Sequence, residues 1–311
     1  MEIISWTLLL AAGLVLLVKG ADFFVGGASD LAARLNIPQL IIGLTVVAMG
    51  TSMPEAAVSI SAVLKGNADI TIGNVVGSNI LNILIILGLS SAVTPLAVHT
   101  STIRYELPFL TGISLLLLVQ GLDGTIGFWD GMLQVILFGL YLVYLILNAG
   151  KNNGQSNADS VIKDGRKLWK IILLCVSGLV MTIAGSDMAV DAACGIAERL
   201  GMSQRFIGLT IVALGTSLPE LVTSVTAAVK GKSDLAIGNI VGSNIFNILF
   251  VVGITSFIRP VSFANDFRFD CVVSALAALV LILFCLKDKK LKRWHGALML
   301  TGYLVYFILI L

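Results

Sequence analysis

Long apolar runs separated by short polar connections dominate the chain. Runs of about 20 mostly apolar residues have the length of a membrane-spanning helix. We predict ten such helices, near residues 3–24, 39–64, 70–92, 107–121, 127–148, 168–190, 205–229, 235–257, 270–286 and 294–311. The fold class that follows is an all-α integral membrane protein.

One long hydrophilic stretch interrupts this pattern. Residues 149–167 read "AGKNNGQSNADSVIKDGRK", and their Asn, Gly and Ser content is typical of a flexible linker. The stretch divides the chain into a first unit of five helices, residues 1–148, and a second unit of five helices, residues 168–311.

The two units are related by an internal repeat. Residues 43–83 and 208–248 align at an offset of 165, and about 25 of the 41 aligned positions are identical. An odd number of spans in each repeat makes the two repeats enter the membrane from opposite sides. The sequence therefore predicts two inverted five-helix repeats.

The second and seventh spans contain matching breaks, "GLTVVAMGTSMPEAAVSI" and "GLTIVALGTSLPELVTSV". Pro54 lacks a backbone donor and its ring displaces the carbonyl of Gly50, so we expect the helix to open near residues 48–51. Irregular backbone at membrane depth survives only where it lines a cavity or binds something. The alternative for a single proline is a simple kink, healed by a hydroxyl side chain.

Each break adjoins a carboxylate, Glu55 or Glu220, which we predict to be the only acids deep in their spans. A lone charge at the bilayer centre costs at least ~2.5–3.5 kcal/mol, so such residues are functional by default. Hydroxyls on the same helical face extend each carboxylate into an oxygen-rich stripe: Thr51, Ser52 and Ser59 in the first repeat, and Thr216, Ser217 and Ser224 in the second.

The following span of each repeat adds a second polar stripe, stepping by four residues: Asn74, Ser78 and Asn82, and Asn239, Ser243 and Asn247. Oxygen ligands of this kind suit a hard cation such as calcium. The competing interpretation is hydrogen bonding between helices. Both interpretations stay open for Asn74, Asn79, Asn239 and Asn244, whereas ion ligation is favoured for Ser78 and Ser243.

Composition agrees with the membrane assignment, since 57% of the residues are hydrophobic and only 12% are charged. A net charge of +2, without basic stripes, excludes nucleic acid as a partner. The distribution of Lys and Arg predicts that both termini lie outside and the linker in the cytoplasm. Connections assigned to the inside carry Arg34, Arg104, Lys151, Lys163, Arg166, Lys167, Lys170, Lys230, Lys232, Lys287, Lys289, Lys290, Lys292 and Arg293; those outside carry only Lys65, Arg199, Arg205, Arg259 and Arg268.

The segments "GLTVVAMGTSMPE" with "GNVVGSNILN", and "GLTIVALGTSLPE" with "GNIVGSNIFN", resemble the paired alpha-repeats of the sodium/calcium exchanger family, within the cation/calcium exchanger superfamily and of prokaryotic type. The resemblance implies antiport of calcium against three sodium ions by alternating access. It implies that Glu55 and Glu220 bridge calcium, assisted by Thr51 and Thr216. Sodium sites would use Ser52, Ser217, Ser78, Ser243 and the carbonyls of Ala48 and Ala213, with Asn82 and Asn247 in the middle of the cluster.

One departure from the family concerns Asn247, where some relatives carry an aspartate. An amide pair at residues 82 and 247 leaves two carboxylates in the site, which weakens any case for potassium cotransport. The expected partners are therefore calcium, sodium and membrane lipid, with no cofactor, in a monomeric protein of the cell membrane.

Three other functions share part of this evidence. A proton/calcium antiporter would have the same fold, although the repeats of the relatives we know differ from the GTS-x-PE pattern seen here. A passive channel could use the same ligands, but two broken helices in inverted repeats favour alternating access. A membrane enzyme is disfavoured, because a serine nucleophile needs a base in reach and His99 and His295 fall in predicted connections.

Overall fold

The computed structural model describes residues 2–149, 167–200 and 213–310, and almost all of these residues are helical. Eight of the described helices are long and apolar enough to cross a membrane, and the bent pair α2 and α3 adds a ninth crossing. In chain order the helices are α1 (Glu2–Leu35), α2 (Gln39–Thr51), α3 (Met53–Leu64), α4 (Ile70–Val93), α5 (Thr102–Asp123), α6 (Phe128–Ala149), α7 (Leu168–Arg199), α8 (Leu218–Val229), α9 (Ser233–Ile258), α10 (Asp266–Leu286) and α11 (Arg293–Ile310).

Two of the predicted features reach beyond this part of the chain. The predicted seventh span begins at residue 205, and its residues 205–212 lie outside the described residues, so the count of ten spans stays a prediction. The predicted linker, residues 149–167, is also outside them apart from its two end residues. The predicted all-α membrane fold is confirmed.

Several helices are longer than the apolar pattern predicts. Helix α1 continues to Leu35 instead of ending near residue 24, and α7 continues to Arg199 instead of 190. Polar residues such as Asp22 reduce hydropathy without breaking a helix, so the helical backbone continues past the apolar run. Helix α1 ends where Asn36 takes a left-handed conformation (φ 53°) and Pro38 follows.

The break in the second span lies at Ser52, where α2 and α3 meet at 45°. The expected opening at residues 48–51 is therefore slightly misplaced, since Ala48–Thr51 is helical and the Ser52 amide donates to the Ala48 carbonyl at 3.0 Å. Pro54 lies in the first turn of α3, where backbone N–H groups have no acceptor within the helix, so the missing N–H of proline costs no hydrogen bond. Ser217, before α8, has nearly the same backbone conformation as Ser52 (φ −90°, ψ 4° against φ −84°, ψ 7°).

Two short antiparallel ribbons join the repeats. Strand β1 (Leu96–Ala97) pairs with β4 (Lys290–Leu291), and β2 (Thr125–Ile126) pairs with β3 (Val261–Ser262). The offset of 165 carries β1 onto β3 and β2 onto β4, so each ribbon maps onto the other. Their positions define two ends of the bundle. We call the end with β1 and β4 the inner end and the end with β2 and β3 the outer end.

Glycines bring the longest helices, α1 and α7, into backbone contact. A Cβ atom added at Gly178 would lie 2.4 Å from the backbone nitrogen of Phe24, and one at Gly185 would lie 2.4 Å from that of Leu17. Small residues at such positions let membrane helices pack closely. Gly242 plays the same part where α9 meets α2, because a Cβ there would lie 2.6 Å from the Leu44 carbonyl oxygen.

The polar stripes of α4 and α9 both end in a π-helical segment, Asn82–Leu87 in α4 and Asn247–Val252 in α9. These two segments are again separated by the repeat offset of 165. Single π-helical turns inside α-helices occur frequently at functional sites. Here each of them begins at an asparagine that the sequence assigned to the ion site.

Candidate ion-binding site between the two repeats

The two breaks bring the carboxylates of Glu55 and Glu220 into the interior, where their relative exposures are 1% and 0%. Each carboxylate is bound by a hydroxyl from the opposite repeat. Ser52 Oγ donates to Glu220 Oε1 at 2.8 Å, and Ser217 Oγ donates to Glu55 Oε1 at 3.2 Å. The repeats therefore share one polar centre, to which each contributes a carboxylate and a hydroxyl.

Four asparagines extend this centre across α4 and α9. The Asn79 side-chain amide donates to the Asn244 backbone carbonyl at 3.3 Å, and the Asn244 side-chain amide donates to the Asn79 backbone carbonyl at 3.1 Å. Asn82 Nδ2 donates to Asn244 Oδ1 at 2.9 Å, and Asn247 Nδ2 donates to Asn79 Oδ1 at 3.2 Å. For Asn79 and Asn244 the structure thus supports the interpretation as interhelical hydrogen bonds.

Two other asparagines, Asn74 and Asn239, form hydrogen bonds with serines of their own repeats. Asn74 Nδ2 donates to Ser59 Oγ at 2.9 Å, and Asn239 Nδ2 donates to Ser224 Oγ at 2.8 Å. The two polar stripes of each repeat therefore face each other. Asn239 also accepts a hydrogen bond from Thr51 Oγ1 at 3.0 Å, which is a further link between the repeats.

The remaining predicted ligands have unequal surroundings. Ser243 Oγ donates to the Ala48 carbonyl at 3.4 Å, so this serine and this carbonyl meet between α9 and α2. Ser78 is 6% exposed on α4, and Ala213 begins the short helical segment Ala213–Gly215 that precedes α8.

Five buried oxygens of the centre have no hydrogen-bond partner among the described residues: Glu55 Oε2, Glu220 Oε2, Asn82 Oδ1, Asn247 Oδ1 and Thr216 Oγ1. A buried acceptor without a donor is costly, and two buried carboxylates without a cation are more so. Carboxylate, amide and hydroxyl oxygens are the ligands that hard cations such as Ca²⁺ and Na⁺ prefer. The donor set therefore fits a cation cargo.

Glu55 and Glu220 are the only acids in α2, α3 and α8, but a third buried acid lies in another span. Glu106 is 3% exposed in α5, and its Oε1 accepts a hydrogen bond from Tyr144 Oη at 3.1 Å. The sequence missed it because α5 begins at Thr102, five residues before the predicted start. Among the described residues Glu106 forms no hydrogen bond with Glu55 or Glu220, so it provides a buried acid for comparison.

The two histidines give no support to a serine nucleophile. His99 Nδ1 bonds Ser101 Oγ at 2.9 Å, and His295 Nδ1 accepts from the Lys292 amide at 3.0 Å. His295 lies in the first turn of α11 and not in a connection as predicted, and its ring stacks on Phe284.

The sodium/calcium exchanger protein family model matches residues 5–147 and 170–311, and the chain therefore belongs to the sodium/calcium exchanger family. The chain is 41% identical over 309 residues to CaxA of Alkalimonas amylolytica, covering 96% of this chain and 97% of that protein. It is 32% identical over 345 residues to the sodium/calcium exchanger MaX1 of Methanosarcina acetivorans, covering 97% of each.

The fold is also that of a solved exchanger. The sodium-calcium exchanger NCX_Mj, soaked with 2.5 mM Na⁺ and 0.1 mM Ca²⁺, matches with a TM-score of 0.86 at 33% identity over 98% of both chains. The resemblance stated from the alpha-repeat motifs is thus confirmed, and the family is one of transporters.

Proposed function

We propose that the chain is a secondary active antiporter that exchanges sodium for calcium across the cell membrane by alternating access. The observation that carries the proposal is the pair of buried glutamates, each bound by a serine of the opposite repeat and each retaining an unpartnered oxygen. Membership of the sodium/calcium exchanger family and the likeness to NCX_Mj support it.

Competition for shared oxygens couples the two ions in this proposal. Calcium takes six to eight oxygen ligands, which the two glutamates supply together with Thr51 and Thr216. The sodium sites beside the same carboxylates are completed by Ser52, Ser217, Ser78, Ser243 and the carbonyls of Ala48 and Ala213, with Asn82 and Asn247 in the middle of the cluster. Because both cargoes need the same two carboxylates, the binding of one displaces the other.

The charges of the site make the exchange electrogenic. Asn82 and Asn247 are neutral, so two ionised glutamates give the empty site a charge of −2. One calcium brings it to 0, and three sodium ions bring it to +1. One net positive charge therefore moves with the sodium in each cycle.

Ten spans in two inverted repeats, residues 1–148 and 168–311, complete the proposal. The two ribbons support this topology: β1 and β4 join the third-to-fourth and ninth-to-tenth connections, which alternate crossings put on one side of the membrane. In the predicted orientation this inner end is cytoplasmic, as is the linker 149–167, and both termini are outside. We propose that the protein acts as a monomer.

Calcium uptake into sodium-loaded proteoliposomes tests the function. Uptake should be fast in sodium-free medium, slow when sodium is equal on both sides, and unchanged when the pH gradient is collapsed. Uptake driven by a pH gradient without sodium would identify a proton/calcium antiporter instead, and uptake without any counter-ion would identify a channel.

A further inference from the structure

An ion pair joins the two repeats at the inner end. Lys230 Nζ lies 2.9 Å from Asp22 Oδ1, and the same ammonium donates to the Asp22 carbonyl at 3.1 Å. Asp22 belongs to α1, and Lys230 directly follows α8. This end is the inner one because α9, which starts after Lys230, ends just before β3 at the outer end.

The repeat offset of 165 carries this pair onto Asp187 of α7 and Lys65 after α3. The two lysines have equivalent backbone positions, since each caps its helix and is followed by a glycine with positive φ: Gly66 at 87° and Gly231 at 72°. In the described part of the chain Lys65 and Asp187 form no ion pair, and both are exposed. Both repeats thus carry the aspartate and the lysine, but in the described structure only Asp22 and Lys230 form the ion pair.

The central site has the same asymmetry. Thr51 binds Asn239, and both are 0% exposed. Their equivalents, Thr216 and Asn74, are partly exposed, and Thr216 Oγ1 has no partner among the described residues. Thr51 ends α2, which approaches from the inner end, so this additional contact lies on the side of the site that faces the inner end, where the Asp22–Lys230 pair has formed.

We infer that these two ion pairs are alternating contacts of the transport cycle. Inverted repeats exchange their conformations when the site changes the side to which it opens. In this cycle the Asp22–Lys230 pair, which is the pair present in this structure, holds the inner end closed, whereas Asp187 and Lys65 pair when the outer end closes. This inference rests on the alternating access of the proposed function and assigns a role to four residues outside the ion site.

A reporter cysteine reads the two conformations without requiring ion exchange. The background is the full-length chain with Cys175, Cys194, Cys271 and Cys285 replaced by alanine. Gly77→Cys then places a thiol on α4, where an added Cβ meets no described atom within 4 Å. A membrane-impermeant thiosulfonate is applied to right-side-out or inside-out vesicles, and the ratio of outer to inner labelling rates follows the ratio of the two conformations.

Two chemically identical substitutions should shift this ratio in opposite directions. Lys230→Gln should lower it and Lys65→Gln should raise it, each by about 1.5- to 5-fold, the effect expected for a partly exposed ion pair. The charge exchange Asp22→Lys with Lys230→Asp should restore the starting ratio. Shifts in the same direction, no shift, or failure of the charge exchange to restore the ratio would overturn the inference. Absence of sodium-driven calcium flux in the unmodified chain would instead reject the proposed function.

Discussion

Replacing either central glutamate by glutamine should abolish calcium transport while preserving the fold. An amide keeps the volume of the side chain but reduces the charge of the site from −2 to −1. Removing one partner of a buried charge pair costs about 3–5 kcal/mol, which corresponds to an affinity for calcium about 100- to 4,000-fold weaker. We therefore expect no calcium binding by Glu55→Gln or Glu220→Gln at concentrations that saturate the unmodified protein.

Without bound ions, the glutamine variants should not be less stable to unfolding than the parent protein. Both carboxylates are fully buried, and neither has a Lys or Arg partner in the described structure. Since a charge at membrane depth costs at least ~2.5–3.5 kcal/mol, the neutral variants should be as stable as the parent or more stable in calcium-free buffer. Calcium at 100 times its Kd should stabilise the unmodified protein by ~2.7 kcal/mol and should not stabilise the Glu55→Gln or Glu220→Gln variant.

Thermal unfolding in detergent, with and without calcium, combined with calcium flux in proteoliposomes, measures both effects. Glu106→Gln is the matched control, because it neutralises a buried acid outside the site and leaves Oε1 able to accept from Tyr144. This control should keep calcium stabilisation and flux. A monodisperse Glu55→Gln or Glu220→Gln protein that exchanges calcium at the parental rate would refute the assignment of the site.

Three further predictions concern the serine contacts, the topology and the helix packing. Ser52→Ala removes the 2.8 Å donor to Glu220 and should weaken ion binding by about 1.5–3 kcal/mol, measured by calorimetry; unaltered affinity would contradict the contact. Cysteines introduced at Lys65 and Lys230 should react with an impermeant reagent from opposite sides of the membrane, and reaction of both from one side would reject five spans per repeat. Gly185→Val should force α1 from α7 and lower the unfolding temperature, whereas Gly26→Ala, which meets no described atom, should not.

The repeat and its polar residues made much of the site predictable from sequence. The offset of 165 identified both glutamates, their hydroxyl neighbours and the facing asparagine stripes, because helical periodicity fixes which side chains share a face. The proline breaks were also predictable, although Ser52, and not residues 48–51, is the point where the direction of the chain changes.

Contacts between the repeats were not predictable from local pattern. The hydrogen bonds from Ser52 to Glu220 and from Ser217 to Glu55 depend on how two segments distant in sequence pack against each other, and the hydropathy pattern does not specify that packing. The π-helical segments at Asn82 and Asn247 also lack a simple sequence signal. Helix ends were wrong where polar residues lie inside a helix, which is how the burial of Glu106 escaped notice.

The reversal potential of the exchange flux tests the proposed site and its ion coupling together. Proteoliposomes with fixed sodium and calcium gradients are clamped at a series of potentials with potassium and valinomycin, and the direction of calcium flux is recorded. Each transported charge contributes ~2.3 kcal/mol per 100 mV, so a two-carboxylate site that exchanges three sodium ions for one calcium predicts that an inside-negative potential drives calcium out. The flux should reverse at the voltage where the calcium gradient balances three sodium gradients and one charge. Sodium-dependent flux that is indifferent to voltage, with no measurable current, would contradict this charge balance.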